Sequence, residues 1–581
     1  MKRSLLLALA LAAPALCVQL WLPVPRLTSD AVEYYSHLRS LYFDHDLDFA
    51  NEFEHFGILT RGDKLVKTVT GHRRTIFSVG PALLWMPFYA AGDLVARVEG
   101  DVEDGYSPWH IRAVCLGSLA LTVAGLLLLR RVLPGVVAAA AADAAILVLF
   151  YATFLWWYAV DEPVMSHAAS FFLAAASLAL WWPGRRELSL ARAASLGGLI
   201  GLAATVRWQN GVLLLLPALT LLPALRRTPA RALGAGSVAL LGFALGTSPQ
   251  LFAWKAIFGH YLLVDPPHGR DFLRLDHPYL LQTLFASRHG LLYWTPVLWA
   301  AILGYGAFLR RDTRTALTLL APVLVMGYVN ICSGDWWAGG SFSNRRFDSL
   351  LPILALGLAH AVAGVERLAA RRPAVVLAGA GALLVLWNGL LMAQYRGNRV
   401  PPDETVSFAR ITENSASILS ESVGTPLAWP ANWVFAAEHE APVAAFDLAV
   451  GKYLFYRQNN LGGVIDAGDP RADPALFGEG WSSTRPCEDT QCRVVLGSAR
   501  LFAPLDVAET LTLVLRVRGE GTLRLAVNGT GVGALRLDER LTEQRITVPQ
   551  ERWHRELNEL RFEADAPGAA WLDRIAFERQ Q

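Results

Sequence analysis

The chain has 581 residues, of which 53% are hydrophobic and only 18% are charged. Globular domains contain about 25% charged residues, so this composition indicates a protein that lies largely within a membrane. The net charge of +2 argues against a nucleic-acid-binding protein, which would carry a basic patch or stripe.

Apolar runs of about 20 residues recur up to Gln394, and each is long enough to cross a bilayer as a helix. Paired arginines stand in the short loops between these runs, and an excess of Lys and Arg marks cytoplasmic loops. The pairs are Arg130-Arg131, Arg185-Arg186, Arg226-Arg227, Arg310-Arg311 and Arg371-Arg372. With every pair in the cytoplasm, the sequence predicts a polytopic α-helical membrane protein with about 11 transmembrane helices, near 4–22, 111–129, 136–156, 163–182, 190–206, 210–225, 232–252, 290–309, 314–331, 347–366 and 374–395.

The first run, from Leu5 to Leu22, fits either a signal peptide or a spanning helix, and its length favours the helix. The N-terminus is then cytoplasmic, and residues 23–110 form a large outer loop. Within this loop, the apolar run from Pro81 to Ala96 is predicted to be a re-entrant or interfacial helix. A full span there would move every arginine pair to the outside.

The first polar motif, Thr28-Ser-Asp-Ala-Val-Glu-Tyr-Tyr35, directly follows the first helix. Asp30 and Glu33 are one helical turn apart, so both carboxylates would face one way on a helix. Two interpretations stay open, a general base for a hydroxyl at the membrane surface and a solvated acidic loop. Glu33 and the adjacent Tyr34 are also candidates to bind an acceptor or a sugar.

A second acidic motif, Asp161-Glu-Pro163, falls at the outer end of a predicted helix. Asp161 is a candidate catalytic residue of the same outer site, and Glu162 is a candidate to bind the acceptor or the sugar there. The alternative is an acidic first helical turn with an early proline, which the helix dipole favours without any function. His167, one turn further on, is predicted to be a polar residue of helix packing.

Arginines on the outer face run against the usual charge bias of membrane proteins, which makes them informative. A guanidinium can hold a phosphate through its forked donors, although pairing with outer acids or lipid headgroups would explain most of them. Arg207 and the Arg345-Arg346 pair are the stronger candidates. The full set is Arg73, Arg74, Arg207, Arg270, Arg288, Arg345 and Arg346.

The string from Asp335 to Arg346 joins a carboxylate, two indoles, a glycine pair and two guanidiniums. Flat apolar faces beside hydrogen-bonding groups suit a sugar ring, whereas an interfacial aromatic belt would explain the tryptophans alone. The predicted acceptor-binding or sugar-binding residues are therefore Asp335, Trp336 and Trp337, together with His289 on the same outer face.

The chain changes character after residue 396. Segment 397–475 is mixed, and 476–581 alternates between apolar and polar residues with Gly and Asn-Gly turns, as in Leu511–Arg518 and Thr522–Val527. This pattern predicts an extracytoplasmic antiparallel β-sandwich, jelly-roll-like, following a membrane domain over 1–396. Cys487 and Cys492 are predicted to form a small-loop disulfide in an oxidising compartment, with two free thiols as the alternative.

In the order of its motifs, residues 4–395 resemble the GT-C membrane glycosyltransferases, notably bacterial relatives of protein mannosyltransferases and of the aminoarabinose lipid A transferase. The segments that carry the resemblance are Asp30-Ala-Val-Glu33, Ser78-Val-Gly-Pro-Ala-Leu-Leu-Trp-Met-Pro87, Asp161-Glu-Pro163, Arg207-Trp-Gln-Asn210, Leu284-Phe-Ala-Ser-Arg-His-Gly-Leu-Leu-Tyr-Trp-Thr-Pro296 and the string from Asp335 to Arg346.

The resemblance implies a polyprenyl-phosphate sugar donor and an acid from the first outer loop at the reaction centre. Asp30 would deprotonate or orient the acceptor hydroxyl, and Asp161 would assist in acceptor binding. Members of the family often carry Lys before two prolines in this loop. This chain has His72-Arg-Arg-Thr-Ile-Phe77 instead, with Arg73 or Arg74 in the place of the lysine.

The sequence contains no Gly-rich nucleotide motif, no metal-binding His/Cys spacing and no Ser nucleophile elbow. We therefore expect an inverting, inner-membrane glycosyltransferase that uses a lipid-linked donor, membrane lipids and an unspecified lipid, glycan or protein acceptor. No cofactor is predicted, and divalent-metal dependence stays open. The alternatives are a transporter or flippase of lipid-linked glycans and a non-catalytic anchor that presents a glycan-binding sandwich.

Overall fold

The computed structural model describes residues 2–59, 64, 66–102, 104–262, 272–369, 372–402, 404–423, 427, 429–438, 463–470, 472, 476–505, 507–554 and 556–579. The chain divides into two compact units, Met1–Ile411 and Thr412–Gln581. Arg270 and Arg371 lie outside the described residues. The domain boundaries that the sequence predicts, at residues 396 and 475, stay predictions.

The first unit is helical. Its helices are α1 (Lys2–Trp21), α2 (Asp30–Arg39), α3 (Ala50–His55), α4 (Gly80–Glu99), α5 (Pro108–Val132), α6 (Ala139–Tyr151), α7 (His167–Trp181), α8 (Leu190–Val206), α9 (Leu215–Arg227), α10 (Pro229–Phe258), α11 (Leu280–Phe285), α12 (Leu291–Trp294), α13 (Val297–Arg311), α14 (Thr313–Ile331), α15 (Leu351–Leu368) and α16 (Pro373–Arg396). The next helix, α17, covers Phe408–Val423, and α18 covers Trp429–Glu438 in the second unit.

Seven helical segments of the described chain are long and apolar enough to cross a membrane, so the protein is a polytopic membrane protein. They are Arg3–Trp21, Pro108–Gly135, Trp208–Arg227, Pro229–Phe258, Thr313–Ile331, Arg345–Leu368 and Pro373–Arg396. The expected spans near 136–156, 163–182 and 190–206 form the shorter helices α6, α7 and α8, so the count of about 11 stays a prediction.

The expected helix over 290–309 is interrupted in the structure. α12 ends at Trp294 and α13 begins at Val297, with Thr295 and Pro296 between them. Proline has no N–H to donate and disfavours helical geometry in the residue before it. Thr295 accordingly has φ −130° and ψ 67°, outside the helical region.

The apolar run from Pro81 to Ala96 forms α4, which packs against α2, α5 and α8. The indole of Trp85 is fully buried and donates to Ser118 Oγ of α5 over 2.9 Å. Gly80 lies so close to the backbone of Thr205 that a Cβ would be 2.4 Å from its carbonyl oxygen. α4 is therefore built into the helical unit, and its predicted re-entrant or interfacial position stays a prediction.

Helices α8 and α10 pack against each other through glycines. A Cβ on Gly197 or Gly201 of α8 would lie 1.9 Å from Ala239 O or 2.3 Å from Phe243 O, respectively. Small residues allow membrane helices to approach closely, and this close packing replaces the hydrophobic driving force that helices lack in lipid. The contact fixes α8, whose C-terminal end leads directly to Arg207.

The second unit contains two antiparallel sheets with the strand orders β2-β3-β10-β5-β8, with β1 paired to β10, and β4-β9-β6-β7. Alternating apolar residues of both sheets, such as Leu513 and Phe562, are buried in one core. The sulfur atoms of Cys487 and Cys492 are bonded at the β2–β3 turn. The strands are β1 (Val464–Asp466), β2 (Arg485–Cys487), β3 (Thr490–Val495), β4 (Ser498–Leu505), β5 (Leu511–Gly519), β6 (Thr522–Val527), β7 (Thr530–Arg536), β8 (Thr542–Val548), β9 (Glu556–Ala564) and β10 (Ala570–Arg579).

We expect Gly197→Ala to lower the free energy of unfolding by about 1–3 kcal/mol, because the added methyl group forces α8 and α10 apart. Thermal unfolding in detergent micelles measures the effect. Gly236→Ala is the matched control, since Gly236 lies in α10 with nothing within 4 Å of the position of a Cβ. Equal melting temperatures for the two variants would contradict close packing of α8 on α10.

Candidate functional site

An ion pair between Asp30 and Arg345 lies at the centre of the candidate site. Asp30 Oδ2 and Arg345 Nη2 are 2.9 Å apart, and the two side chains are 24% and 17% exposed. Asp30 is the first residue of α2, and Arg345 begins the short 3-10 segment that leads into α15. The pair therefore joins the start of α2 to the loop between α14 and α15.

Asp30 remains a carboxylate in this position. Burial alone would raise the pKa of Asp30, but the Arg345 guanidinium and the Ser29 hydroxyl offset the burial and hold the pKa below its usual value. Ser29 Oγ donates to Asp30 Oδ1 over 3.2 Å. Arg345 is fixed as well, because its Nε donates to Ala338 O over 3.2 Å.

Glu162 and Tyr34 accompany the pair. Glu162 interacts electrostatically with Arg345 and Asp30, and burial raises the pKa of its carboxyl group. Tyr34 is buried and interacts with Arg207, Asp30 and Arg345, with its pKa raised by burial. These two residues, which the sequence predicts as acceptor or sugar ligands, thus lie in the electrostatic neighbourhood of Asp30.

Asp161 has a different partner from the adjacent Glu162. It forms an ion pair with Arg396 at the end of α16, and its side chain is 4% exposed. Burial raises the pKa of Asp161, and Arg396 acts in the opposite direction. Asp161 is the last residue of a π-helical segment, Trp157–Asp161, and Glu162 follows it outside the helix with φ −121° and ψ 59°. The predicted role of Asp161 in catalysis stays a prediction.

A second group consists of Arg207, His167 and Asp348. His167 Nδ1 donates to Asp348 Oδ2 over 2.7 Å, and Arg207 Nη1 lies 3.0 Å from the same nitrogen. Arg207 Nη1 is also 3.8 Å from Asp348 Oδ2. His167 and Asp348 are almost completely buried, whereas the Arg207 side chain is half-buried. His167 thus links α7 to the segment before α15 through a hydrogen bond.

The loop between α14 and α15 contributes a third group. Arg346 forms an ion pair with Asp335 and also donates from Nη1 to the Asp335 carbonyl over 2.8 Å. The indoles of Trp336 and Trp337 meet edge to face at 5.6 Å, and both residues are half-buried. The Arg288 guanidinium lies 3.9 Å from the centre of the Trp337 ring, a cation–π contact.

The remaining predicted residues have other neighbours. Glu33 is buried, pairs with Lys64 Nζ at 2.7 Å and accepts from Thr75 Oγ1 at 2.7 Å. His289 Nε2 donates to Pro402 O over 2.7 Å, and its ring stacks on Trp294. The predicted sugar contacts of Glu33 and His289 stay predictions.

Arg73 and Arg74 belong to the same loop as Lys64. Arg73 pairs with Lys67 in an isolated β-bridge, and its Nη1 donates to Lys64 O at 3.5 Å. The backbone N–H of Arg74 donates to Val66 O at 3.4 Å. The assignment of the donor phosphate to these two arginines stays a prediction.

The sequence analysis did not single out Asp348 or Tyr158. Tyr158 OH donates to Phe342 O over 3.0 Å, and its ring lies 4.2 Å from that of His167. For Asp348 a signal was available, because a carboxylate at the start of an apolar helix is costly without a purpose. The sequence analysis selected the neighbouring Arg345-Arg346 pair instead.

Three guanidiniums lie near one another in this site. Arg346 interacts electrostatically with both Arg207 and Arg345. Each has a carboxylate beside it, and two of these ion pairs are only half-buried. The arrangement can bind an anion through forked donors and can supply a carboxylate as a general base.

No protein-family model and no curated protein matches the sequence. Solved structures similar to the chain include the arabinosyltransferase EmbB from Mycobacterium smegmatis, at 12% identity, covering 98% of this chain and 64% of that chain, with a TM-score of 0.41. ArnT from Cupriavidus metallidurans bound to undecaprenyl phosphate matches at 16% identity, covering 74% and 72%, with a TM-score of 0.41. The oligosaccharyltransferase AglB from Archaeoglobus fulgidus matches at 13% identity, covering 72% and 54%, with a TM-score of 0.37.

The search of solved structures thus finds GT-C glycosyltransferases, the family that the sequence resembles. The chain spans 64% of the length of the arabinosyltransferase.

We expect the Asp30–Arg345 pair to contribute a coupling energy of about 1–3 kcal/mol to stability, because both charges are largely removed from water. A double-mutant cycle of Asp30→Asn and Arg345→Gln, followed by denaturant titration in detergent micelles, measures it. The exposed pair Arg231–Glu187, with side chains 59% and 70% exposed, is the control, and its coupling should be about 0–1 kcal/mol. A central pair that couples no more strongly than this control would contradict the expectation.

Proposed function

We propose that the chain is a membrane glycosyltransferase that moves a sugar from a polyprenyl-phosphate donor to a hydroxyl group of a lipid, glycan or protein acceptor. The observation that carries the proposal is the half-buried Asp30–Arg345 pair, with Glu162, Arg207 and Arg346 around it. A half-buried base beside several guanidiniums suits a reaction that removes a proton from one substrate and expels an anion from the other.

The donor phosphate takes its place between the guanidiniums of Arg345 and Arg207. Arg345 is held through Nε by Ala338 O, so its Nη2 can exchange the Asp30 carboxylate for a phosphate oxygen without moving the rest of the group. A phosphate is well matched to the fork of an arginine. The lipid tail of the donor lies between the membrane helices.

The acceptor hydroxyl then reacts with the anomeric carbon of the sugar. Asp30 takes the hydroxyl proton, the new bond forms from the acceptor oxygen, and the bond between the anomeric carbon and the phosphate oxygen breaks. The phosphate leaves with that electron pair, and Arg207 and Arg345 stabilise its charge. A single displacement of this kind inverts the anomeric configuration.

Glu162 and Tyr34 bind the acceptor or the sugar. Burial raises the pKa of the Glu162 carboxyl group, whose two oxygens can accept hydrogen bonds from sugar hydroxyls. Trp336 and Trp337, which are half-buried, offer flat apolar faces for the ring of a sugar. These side chains decide which sugar fits.

The reaction takes place on the outer face of the cytoplasmic membrane. The arginine pairs of the short loops support this orientation, since Arg130-Arg131 and Arg310-Arg311 stand at the ends of α5 and α13. The disulfide of the second unit supports an oxidising compartment for the sandwich. An outer site has little access to nucleotide sugars, which favours a lipid-linked donor.

Incubation of the purified protein with a panel of radiolabelled polyprenyl-phosphate sugars and a membrane extract tests the proposal. We expect the label of at least one donor to move to an extractable acceptor, with release of sugar-free polyprenyl phosphate. Retention of every label on its donor, in a protein that unfolds cooperatively on heating, would reject the proposed activity.

Asp30→Asn should lower kcat by about 10²–10⁴-fold, because the acceptor hydroxyl loses its general base. Steady-state transfer kinetics at saturating donor measure the effect. Glu54→Gln is the matched control, since Glu54 is an exposed acid of α3 in the same outer loop, and its kcat should stay at the wild-type value. Wild-type turnover in the Asp30 variant would exclude Asp30 as the base.

A further inference from the structure

Asp348 is the most completely enclosed carboxylate of the site. Its side chain is 1% exposed, and it accepts hydrogen bonds from His167 Nδ1 at 2.7 Å, Ser170 Oγ at 3.2 Å and the backbone N–H of Ser349 at 2.6 Å. Asn210 Nδ2 in turn donates to Ser170 Oγ at 3.0 Å. A carboxylate with this many donors has one fixed orientation.

The Asp348 carboxylate is placed to act on Arg207. Arg346 lies in the electrostatic field of Arg207 and of Arg345, so the like charges of Arg207 and Arg346 repel each other. Arg345 is paired with Asp30, and Arg346 is paired with Asp335. Arg207 Nη1 lies 3.8 Å from Asp348 Oδ2 and 3.0 Å from His167 Nδ1. Asp348 therefore supplies the charge that offsets the repulsion at Arg207.

We infer that Asp348 is a positioning residue that holds Arg207 in the cluster of guanidiniums, so that Arg207 reaches the donor phosphate. This inference rests on the proposed function. Asp348 is too deeply buried to contact a substrate, and it acts through His167 and Arg207. Ser170 and Asn210 contribute to the same positioning, because Ser170 donates to the Asp348 carboxylate and Asn210 donates to Ser170.

Equilibrium binding of a radiolabelled, sugar-free polyprenyl phosphate to the full-length protein in lipid nanodiscs tests the inference without requiring turnover. Asp348→Asn keeps the shape of the side chain and removes its charge. We expect the Kd of the phosphate lipid to rise about tenfold, which corresponds to ~1.4 kcal/mol. Transfer kinetics should show the loss in the donor KM and leave the acceptor KM unchanged.

A double-mutant cycle separates positioning from general damage. If Asp348 acts through Arg207, then Asp348→Asn should weaken phosphate-lipid binding in the wild-type background and have no further effect in the Arg207→Gln background. Losses that add in the double variant would overturn the inference, because Asp348 would then act by another route.

Asp93→Asn is the matched control. Asp93 is also buried and also contacts a histidine, with Oδ1 3.2 Å from His110 Nε2, but it lies in α4 and accepts from Tyr42 OH. We expect this variant to lower the melting temperature and to bind the phosphate lipid as the wild type does. Lower melting temperatures with wild-type binding in both variants would overturn the inference.

Ser170→Ala covers the case in which Asp348→Asn does not fold. It removes a single hydrogen bond to Asp348 and should raise the Kd of the phosphate lipid by about 2- to 10-fold. Unchanged binding in this variant would count against the inference. Failure of the wild-type protein to bind the phosphate lipid would instead reject the donor site of the proposed function, and the inference with it.

Discussion

The site depends on a single constraint. Every charged side chain near the end of a membrane helix needs an opposite charge or a set of hydrogen bonds. Each of the three arginines is paired with one carboxylate: Arg345 with Asp30, Arg346 with Asp335, and Arg207 with Asp348. Because Asp30 and Arg345 come from segments far apart in the sequence, their pair also ties α2 to the segment before α15. The electrostatics that make these charges tolerable therefore assemble the site as well.

The segment between α1 and α4 has further ion pairs that fix α2 behind Asp30. Glu33 pairs with Lys64, and Arg39 pairs with Glu52 at 3.0 Å. Burial raises the pKa of Glu52 to about 7, although the Arg39 guanidinium opposes this shift. With these side chains anchored, α2 presents its first residue at its exposed end. Glu33 thus supports the helix, even though the turn spacing predicts that it faces the same way as Asp30.

Local patterns in the sequence were sufficient to predict the helices and strands that depend on neighbouring residues. The lengths of the apolar runs predicted the helices α5, α10, α14 and α16, and the period-two alternation predicted β5 and β6. They were not sufficient to assign different partners to the neighbours Asp161 and Glu162, because the partner of Asp161 is Arg396, 235 positions away. The partner of Asp348 stands 181 positions away at His167, and no spacing rule indicates a contact over that distance.

The carboxylates of the site differ in burial, and the difference matches two separate tasks. Asp30 is 24% exposed and Asp348 is 1% exposed. Removing the partner of a buried charge such as Asp348 costs about 3–5 kcal/mol because that charge is left without compensation, whereas a charge in contact with water, such as Asp30, loses far less. An incoming phosphate can therefore replace Asp30 at Arg345 but cannot replace Asp348 at Arg207. In the proposed reaction this exchange frees the base only when the donor has bound, so the donor should bind before the acceptor is activated.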